Sequence, residues 1–302
     1  MKLSILGCYS ATPRTLNNTT SQVLEIGNHM FLIDCGEGTQ VQLRKHKIKF
    51  NRIKHIFISH LHGDHFFGLV GLISTFRLLT RETDLHIHGP KGIKEIITLQ
   101  MKLADSWTNY NLIFHELTSK KSELIFEDNK VEVFTIPLNH RIYTNGFLFK
   151  EKEKDRKLNI SAVEDANINI AYYRKLVQGF DVVNEDGETI KNEKVTWPGL
   201  KPKSYAFCSD TMYKKDIVPI IENTDVLYHE STFLDKHADL AVKTKHSTAK
   251  EAAYIAKQAK VGKLLLGHYS TRYDGLNAFK EEALEVFDNV ELCEDGKTFN
   301  FD

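Results

Sequence analysis

The segment that most restricts the fold of this chain is SHLHGDH, in which four residues with metal-binding side chains lie within six positions. It begins at the end of the apolar run IKHIFIS, which predicts a short strand. His60, His62, Asp64 and His65 therefore lie in the loop at the carboxyl end of that strand. Imidazole and carboxylate together suit Zn²⁺ or a related divalent ion. Four ligands on one short loop are more than one tetrahedral ion conveniently takes from a single loop, which indicates two ions that each need further ligands from elsewhere.

Those further ligands should also lie at strand ends, and three later strands offer them. The runs FTIPLN, YAFCS and LLLG lead into His140, Asp210 and His268, respectively. A carboxylate such as Asp210 can bridge two cations, whereas a neutral imidazole cannot. A single histidine at a strand end is more often structural. Four separate strands that end in this way predict a metal site.

The order of strands and helices predicts the fold class. The first 90 residues consist mainly of short β-rich runs, and later strands alternate with helical patterns. Helices are predicted over residues 38–46, 67–80, 92–104, 214–222, 248–259 and 277–287. Thr248 and Glu251 fit a capping box at the start of the fifth. The prediction is an α/β protein of the layered α+β kind, with sheets sandwiched by helices.

One segment, residues 150–199, is highly charged and lacks this alternation. Basic residues crowd its start, and two interpretations are open. It is either a solvated surface excursion, the commoner origin of charge runs, or an inserted arm with a recognition surface. The formal net charge of the chain is +0, so any surface that binds a polyanion must be a local patch.

Composition and the N-terminal sequence predict a cytoplasmic protein with no membrane partner. A hydrophobic fraction of 41% and a charged fraction of 26% are ordinary for a globular protein. The four cysteines are far apart, which favours free thiols in a reducing compartment. MKLSILGCYS becomes polar too early for a signal peptide, and no apolar run approaches the roughly 18 residues of a membrane span.

At this point the motifs resemble those of a known superfamily. HLHGDH matches the H-x-H-x-D-H signature of the metallo-β-lactamase superfamily, and His140, Asp210 and His268 match its remaining ligand motifs in order. FLIDCGEG resembles its early strand motif, in which Asp34 would support the metal loop. The resemblance implies a metallo-β-lactamase αββα sandwich formed by residues 1–149 and 200–302, with an arm inserted at 150–199.

Two further motifs resemble the ribonuclease Z family within that superfamily. HEST, which contains Glu230, is similar to the family's His-Glu-Ala-Thr motif, and KHSTAKEAA contains the histidine, His246, that the family pairs with the glutamate. The charged segment also falls where short forms insert an arm that grips tRNA. The resemblance implies a zinc-dependent endoribonuclease that removes the 3′ trailer from tRNA precursors and acts as a homodimer.

The resemblance also implies a role for each site residue. Two divalent metal ions are expected, Zn²⁺ first and Mn²⁺ as the alternative. One would be held by His60, His62, His140 and Asp210, the other by Asp64, His65, Asp210 and His268. Asp64 would orient the attacking water and accept its proton. His246, held by Glu230, would protonate the leaving 3′-oxygen. The products would be a tRNA 3′-hydroxyl and a trailer 5′-phosphate.

The arm and the N-terminal loop depart from the family pattern. The arm has no Gly/Pro-rich segment between short helices, so its RNA contacts are assigned from charge and position alone. These candidates are Lys150, Lys152, Lys154, Arg156, Lys157, Arg174 and Lys175. PRTLNN lacks the basic residues of a family loop linked to the 3′ CCA end, which leaves the preference for CCA open.

Two other functions remain as alternatives. One is a hydrolase of the same fold that acts on small phosphodiesters or thioesters, and the other is a non-catalytic tRNA-binding protein. The first would need neither an arm nor the Glu230–His246 pair, and the seven filled ligand positions count against the second. Outside the site, we interpret His86 and His88 as structural or as lining the cleft, and Phe67 as core packing. His55 and His115 are expected at the surface.

Overall fold

The computed structural model describes residues 1–15 and 17–301. Strands are numbered along the chain. Those before the charged segment are β1 (Lys2–Gly7), β2 (Ser21–Ile26), β3 (His29–Ile33), β4 (Ile53–Phe57), β5 (Leu85–Pro90), β6 (Leu112–Leu117), β7 (Leu124–Glu127), β8 (Val131–Pro137) and β9 (Asn145–Glu151). The others are β10 (Lys157–Leu158), β11 (Val182–Val183), β12 (Thr189–Ile190), β13 (Thr196–Trp197), β14 (Ser204–Cys208), β15 (Val226–Glu230), β16 (Lys263–Gly267), β17 (Val290–Leu292) and β18 (Thr298–Asn300).

The helices lie between these strands. They are α1 (Thr39–Lys45), α2 (Gly63–Phe66), α3 (Leu69–Leu78), α4 (Ile93–Leu103), α5 (Ile160–Asp165), α6 (Tyr173–Val177), α7 (Asn192–Val195), α8 (Ala238–Thr244), α9 (Ala249–Gln258) and α10 (Asn277–Leu284). Single 3₁₀ turns occur at Phe50–Arg52, Ile170–Tyr172, Lys215–Ile217 and Asp235–His237. None of the helices in the described part of the chain has the length and apolar character needed to cross a membrane.

Most predicted helices are confirmed, and two predictions need correction. The capping box of Thr248 and Glu251 is present at the start of α9. The helix predicted over 214–222 is wrong: only a 3₁₀ turn forms there, and Pro219 offers no N–H to continue it. Phe67 is 57% exposed, so its interpretation as core packing is also wrong, whereas Phe66 and Leu69 beside it are buried.

Two sheets form the larger part of the described residues. Their strand orders are β18-β1-β2-β3-β4-β5-β6 and β17-β16-β15-β14-β9-β8-β7. In the first sheet, β3 to β6 run parallel. In the second, β14 to β17 run parallel. Because neighbouring parallel strands end at the same edge of a sheet, residues that follow them are brought together.

The two sheets pack face to face through aromatic side chains. Phe31 on β3 lies 5.3 Å from Phe149 on β9, and Phe57 on β4 lies 5.3 Å from Phe147, between ring centroids. The outer face of the first sheet packs against α3 and α4, and the buried alanines of α9 belong to the core of the second sheet. The predicted αββα sandwich is confirmed.

A stack of imidazoles lies on the inner face of the first sheet. The ring of His55 is 4.6 Å from that of His86, and the ring of His88 is 4.3 Å from that of His115. Burial lowers the pKa of His55 to about 3 and that of His88 to about 2, so both are neutral. His55 and His115 are partly buried here, contrary to the expectation that they lie at the surface.

The chain forms two compact units. The first comprises Met1–Glu127, Val131–Lys150 and the residues from Lys203 onward, and the second comprises Asp128–Lys130 and Glu151–Pro202. The second unit contains α5 to α7 and two short strand pairs, β10–β13 and β11–β12. Its small apolar core is formed by Val163, Ile168, Leu176, Val182 and Val195. The charged segment therefore folds around a core of its own.

Candidate metal centre

Three site residues that lie within two positions of the end of a parallel strand have an unusual backbone conformation. Asp34 (φ 55°), Asp210 (φ 58°) and His268 (φ 60°) all lie in the left-handed region. This conformation costs a residue with a Cβ atom roughly 1–2 kcal/mol, so the surrounding contacts must maintain it. It turns the side chain away from the strand direction at the edge where the strands end. Strain of this kind is typical of functional sites.

The first predicted group of metal ligands is assembled in the structure. His60, His62, His140 and Asp210 each offer one ligand atom, and these atoms all lie within 4.8 Å of one another. His62 Nδ1 is 2.9 Å from His60 Nε2 and 3.2 Å from His140 Nε2. Asp210 Oδ2 lies 3.6 Å from His60 Nε2 and 3.5 Å from His140 Nε2. The four atoms are therefore close enough together to bind one ion.

The second group lies on the other side of Asp210. Asp64, His65 and His268 also offer ligand atoms within 4.8 Å of one another. Asp210 Oδ1 is 3.1 Å from His65 Nε2 and 3.0 Å from His268 Nε2. Asp64 Oδ2 is 3.5 Å from His65 Nε2 and 3.8 Å from His268 Nε2. The two oxygens of Asp210 thus face different groups, as a bridging carboxylate requires.

Unpartnered nitrogens show that cations fit this arrangement. His65 Nε2 and His268 Nε2 are buried and have no hydrogen-bond partner, although both lie close to Asp210 Oδ1. A buried nitrogen without a partner is costly, whereas a cation between nitrogen and oxygen would satisfy both. Nitrogen and carboxylate donors in this number suit Zn²⁺ or a similar divalent ion.

Four of the histidines are oriented by contacts at their outer nitrogen. The Nδ1 atom of His60 lies 3.0 Å from Ser59 Oγ, and that of His65 lies 2.7 Å from Asp34 Oδ2. The Nδ1 atom of His140 lies 2.9 Å from the Lys245 carbonyl, and that of His268 lies 2.9 Å from Thr232 Oγ1. In each case Nε2 points inward. Contacts of this type fix the ring and the tautomer of a metal-binding histidine.

The pKa values show how strongly the carboxylates and imidazoles interact. Burial acts to raise the pKa of Asp210, but His268, His65 and His60 outweigh it and hold the pKa well below its ordinary value. Burial also acts to raise the pKa of Asp64, yet His65 and His268 lower it overall. Both carboxylates are therefore ionised at neutral pH, which is the state that binds a cation.

Asp34 organises the loop that carries the histidines. It is fully buried and accepts hydrogen bonds from Ser59 N (2.7 Å), Ser59 Oγ (2.9 Å) and His65 Nδ1 (2.7 Å). Burial raises its pKa, while the contacts with His65 and Ser59 oppose that shift. Asp34 therefore links the end of β3 to the metal loop after β4.

Asp34→Asn should weaken metal binding by roughly 10- to 100-fold, because the amide cannot accept from His65 Nδ1 and Ser59 together as the carboxylate does. Isothermal titration calorimetry, in which Zn²⁺ is added to the metal-free protein, measures the affinity. Asp216→Asn, at an exposed position outside the site, is the matched control. Equal affinity in the Asp34 variant and the control would contradict this role.

Glu230 and His246 form a buried pair beside the metal centre. Glu230 Oε1 accepts from His246 Nδ1 at 2.8 Å, and Glu230 Oε2 accepts from Thr232 Oγ1 at 2.5 Å. The ring of His246 lies 5.0 Å from that of His140. Burial acts to lower the pKa of His246, but the Glu230 carboxylate outweighs it and raises the pKa to about 9. His246 is therefore protonated at neutral pH and can donate a proton.

The N-terminal loop reaches the same site. Ala11, in the left-handed region at φ 59°, donates its N–H to Asp64 Oδ2 at 2.8 Å. Asn18, at the other end of the loop, donates its backbone N and Nδ2 to Asp295 Oδ2 at 2.6 and 2.9 Å. The loop that contains PRTLNN is thus anchored at both ends, and one anchor is a predicted metal ligand.

Comparison with known proteins establishes the family. A family model described as Anti-Pycsar protein Apyc1 matches residues 1–197, a span that ends before Asp210. A Ribonuclease Z from Porphyromonas gingivalis is 47% identical over 283 residues, covering 94% of this chain and 93% of that protein. A Ribonuclease Z from Cytophaga hutchinsonii is 46% identical over 299 residues, covering 99% of this chain and 95% of that protein. The chain belongs to the ribonuclease Z family.

Solved structures agree with this assignment. The crystal structure of human tRNase Z, short form, matches this ribonuclease Z family member with a TM-score of 0.72 at 27% identity, over 99% of both chains. The metallo-β-lactamase fold protein YhfI from Bacillus subtilis matches with a TM-score of 0.69 at 18% identity, over 99% of this chain and 98% of that one. The second likeness concerns the fold alone.

The candidate RNA contacts of this ribonuclease Z family member differ in their surroundings. Lys150 Nζ lies 5.7 Å above the Phe134 ring, and Lys154 forms an ion pair with Glu151 at 2.8 Å. Arg156 Nε donates to Thr196 Oγ1 at 2.7 Å, which gives it a structural contact. The remaining candidates are Lys152, which is partly buried, and Lys157, Arg174 and Lys175, which are exposed.

Sequence reasoning missed several residues of the site. Ser59, Thr232 and the Lys245 carbonyl orient ligand histidines, and the Ala11 N–H holds Asp64. Thr232 belongs to the HEST motif, so its position was a usable signal. The roles of Lys245 and Ala11 belong to their backbone atoms, which the residue type does not reveal.

Proposed function

We propose that the protein is an endoribonuclease that hydrolyses the phosphodiester bond at the 3′ end of tRNA precursors. The observation that carries this proposal is the Glu230–His246 pair, which lies 2.8 Å apart beside the clustered ligands. A hydrolase of small phosphodiesters or thioesters would not need this pair. The relatives named Ribonuclease Z, at 46–47% identity over nearly the whole chain, support the same reaction.

The proposed centre takes two divalent metal ions, Zn²⁺ first and Mn²⁺ as the alternative. His60, His62, His140 and Asp210 would hold one ion, and Asp64, His65, Asp210 and His268 the other. When bound, the ions would lower the pKa of water and neutralise charge on the phosphate oxygens. Asp64, which is half-buried, would orient the attacking water and accept its proton.

His246 supplies the proton to the leaving 3′-oxygen. Its pKa of about 9 keeps it protonated at neutral pH, and Glu230 fixes the ring through Nδ1, which leaves Nε2–H as the donor. Thr232 Oγ1 lies between Glu230 and the imidazole of His268 and holds their relative positions. The products would be a tRNA 3′-hydroxyl and a trailer 5′-phosphate. Because its proposed substrate is a tRNA precursor, we propose that the protein acts in the cytoplasm.

The arm, residues 150–199, is proposed to bind the tRNA, and the catalytic domain comprises 1–149 and 200–302. The basic excess is local: five basic residues stand against three acidic ones over residues 150–157, and Arg174 and Lys175 follow in α6. The triple variant Lys157→Ala, Arg174→Ala, Lys175→Ala should raise KM for a precursor roughly tenfold and leave kcat nearly unchanged. Steady-state kinetics measure both constants. A triple alanine variant with an unchanged KM would contradict the assignment.

We further propose a homodimer in which the arm of one subunit holds the tRNA that the other subunit cuts. Sedimentation of the protein alone tests the dimer, and a purely monomeric species would contradict it.

Mixing two variants tests whether one subunit's arm serves the other subunit's metal centre. The triple arm variant and Asp64→Ala are each deficient, but their mixed dimers contain one intact arm and one intact centre. Recovery of activity on mixing and exchange supports cleavage between subunits, and no recovery contradicts it.

The experiment that tests the function is cleavage of a tRNA precursor with a 3′ trailer in the presence of Zn²⁺ or Mn²⁺. Asp64→Ala is run in parallel, and bis(p-nitrophenyl) phosphate serves as a small phosphodiester. Cleavage by the parent protein but not by the variant is expected. If only the small phosphodiester is hydrolysed, the alternative hydrolase is favoured. If neither is hydrolysed while tRNA is bound, a non-catalytic tRNA-binding protein is favoured.

A further inference from the structure

Arg141 lies at the rim of the metal centre. It follows His140, which is buried, whereas its own side chain is exposed. The ring of His140 lies 5.0 Å from that of His62 on one side and 5.0 Å from that of His246 on the other. Among residues 1–15 and 17–301, the Arg141 guanidinium has no hydrogen bond or ion pair. A predicted metal ligand, His140, is therefore followed in the sequence by an arginine whose charge has no partner among the described residues.

The charge of Arg141 acts on both neighbouring histidines. Burial is the main cause that lowers the pKa of His62, and Arg141 lowers it further. Burial also acts to lower the pKa of His246, and Arg141 adds to that effect, although Glu230 outweighs both. The Arg141 charge therefore acts on one residue of the first metal group and on the proton donor.

Lys245 contacts the peptide group between His140 and Arg141. The Lys245 carbonyl accepts from His140 Nδ1 at 2.9 Å, and Lys245 Nζ donates to the His140 carbonyl at 3.3 Å. Lys245 also precedes His246 and adopts a left-handed φ of 58°. These reciprocal bonds hold the turn that carries His246 against the residue that carries Arg141. Arg141 and Lys245 thus both lie next to the turn that carries His246, the residue proposed to protonate the leaving oxygen.

We propose that Arg141 and Lys245 bind the RNA phosphate that precedes the scissile phosphate, on the mature side of the cut. The inference rests on the proposed function, because the leaving 3′-oxygen belongs to the last nucleotide of the mature tRNA. The phosphate on the 5′ side of that nucleotide is the nearest anion on the side of His246. A guanidinium can bind two phosphate oxygens at once, and an ammonium adds a point charge. Both residues position the substrate and take no part in proton transfer.

The test compares two substrates across a range of salt concentrations. Arg141→Ala should raise KM for a tRNA precursor roughly tenfold, and should reduce the slope of log KM against log salt by about one. Hydrolysis of bis(p-nitrophenyl) phosphate, which has no second phosphate, should stay within about twofold. Lys245→Ala should also raise KM for the precursor, and it is not used to judge the small phosphodiester because Lys245 also holds His140. Arg141→Lys should keep the salt slope, since it keeps the charge. Arg77→Ala, exposed at the end of α3, is the control.

The possible outcomes separate this inference from the proposed function. If the parent protein cleaves the precursor and Arg141→Ala changes neither KM nor the salt slope, the inference is overturned and the function stands. If Arg141→Ala reduces the hydrolysis of both substrates equally and Arg141→Lys restores neither, Arg141 has a structural role and the inference is again overturned. If the parent protein hydrolyses only the small phosphodiester, the proposed function fails and this inference fails with it.

Discussion

Asp210→Ala is expected to reduce precursor cleavage by about 1,000-fold or more and to lower the metal content of the protein. Each oxygen of Asp210 faces a different ligand group, with contacts of 3.0 to 3.6 Å to four histidines. Removing the carboxylate takes one ligand from both groups and leaves buried imidazoles without their counter-charge. Metal ions supply several kcal/mol of charge stabilisation in such reactions, which corresponds to this loss of rate.

Metal analysis of purified protein, together with kcat, measures both effects. Asp210→Asn preserves the shape but not the charge, so it should retain more metal than the alanine variant and remain strongly impaired. Asp216→Ala, an exposed change outside the site, should match the parent protein. An Asp210→Ala protein with full metal content and full activity would show that Asp210 does not join the two groups.

His246→Ala is expected to lower kcat on the precursor by roughly 10²- to 10⁴-fold, the range typical of a lost general acid, while metal content is retained. Hydrolysis of bis(p-nitrophenyl) phosphate should be affected much less, because p-nitrophenolate leaves readily without protonation. This contrast between substrates separates a proton donor from a structural residue. Equal losses with both substrates would contradict the role of His246 as the acid.

The pH dependence of kcat provides a second test of the same pair. An acid acts in its protonated form, so kcat should fall as the pH rises through the pKa of His246, about 9. Glu230 is the group that raises this pKa, so Glu230→Gln should move the alkaline fall of kcat to lower pH. An alkaline limb at the same pH in Glu230→Gln and the parent protein would exclude this electrostatic role.

Much of the site was predictable because the ends of strands can be recognised in the sequence from where apolar runs stop. His140, Asp210 and His268 each follow an apolar run. Asp210 and His268 follow strands of one parallel set, β14 to β16, which end at one edge, so their proximity follows from the fold. The resemblance to a known family supplied the pairing of Glu230 with His246, 16 positions apart, which spacing alone does not give.

Other features depend on tertiary contacts that residue types do not encode. The imidazole stack of His55, His86, His88 and His115 forms only because alternate residues of three parallel strands face the same layer. Phe67 follows Phe66 in an apolar run, yet only one of the two faces the core at the end of the short α2. The helix predicted over 214–222 does not form because the segment contains Pro219, which a prediction from apolar periodicity does not take into account.

The position of the basic residues was also beyond sequence reasoning. Charge runs directed attention to the arm, whereas Arg141 stands alone in the sequence and becomes relevant through its neighbours in space. Arg156, a candidate by charge, instead bonds to Thr196. Local charge density therefore does not reveal which basic side chains already have a partner within the protein.

The most direct test of the central claim is to map the ends of the products from a tRNA precursor with a defined 3′ trailer. The protein is purified, its metal is removed with a chelator, and Zn²⁺ or Mn²⁺ is added back. We predict one metal-dependent cut at the trailer junction that leaves a tRNA 3′-hydroxyl and a trailer 5′-phosphate. Cleavage that is independent of metal, or a tRNA that ends in a 3′-phosphate, would contradict the account.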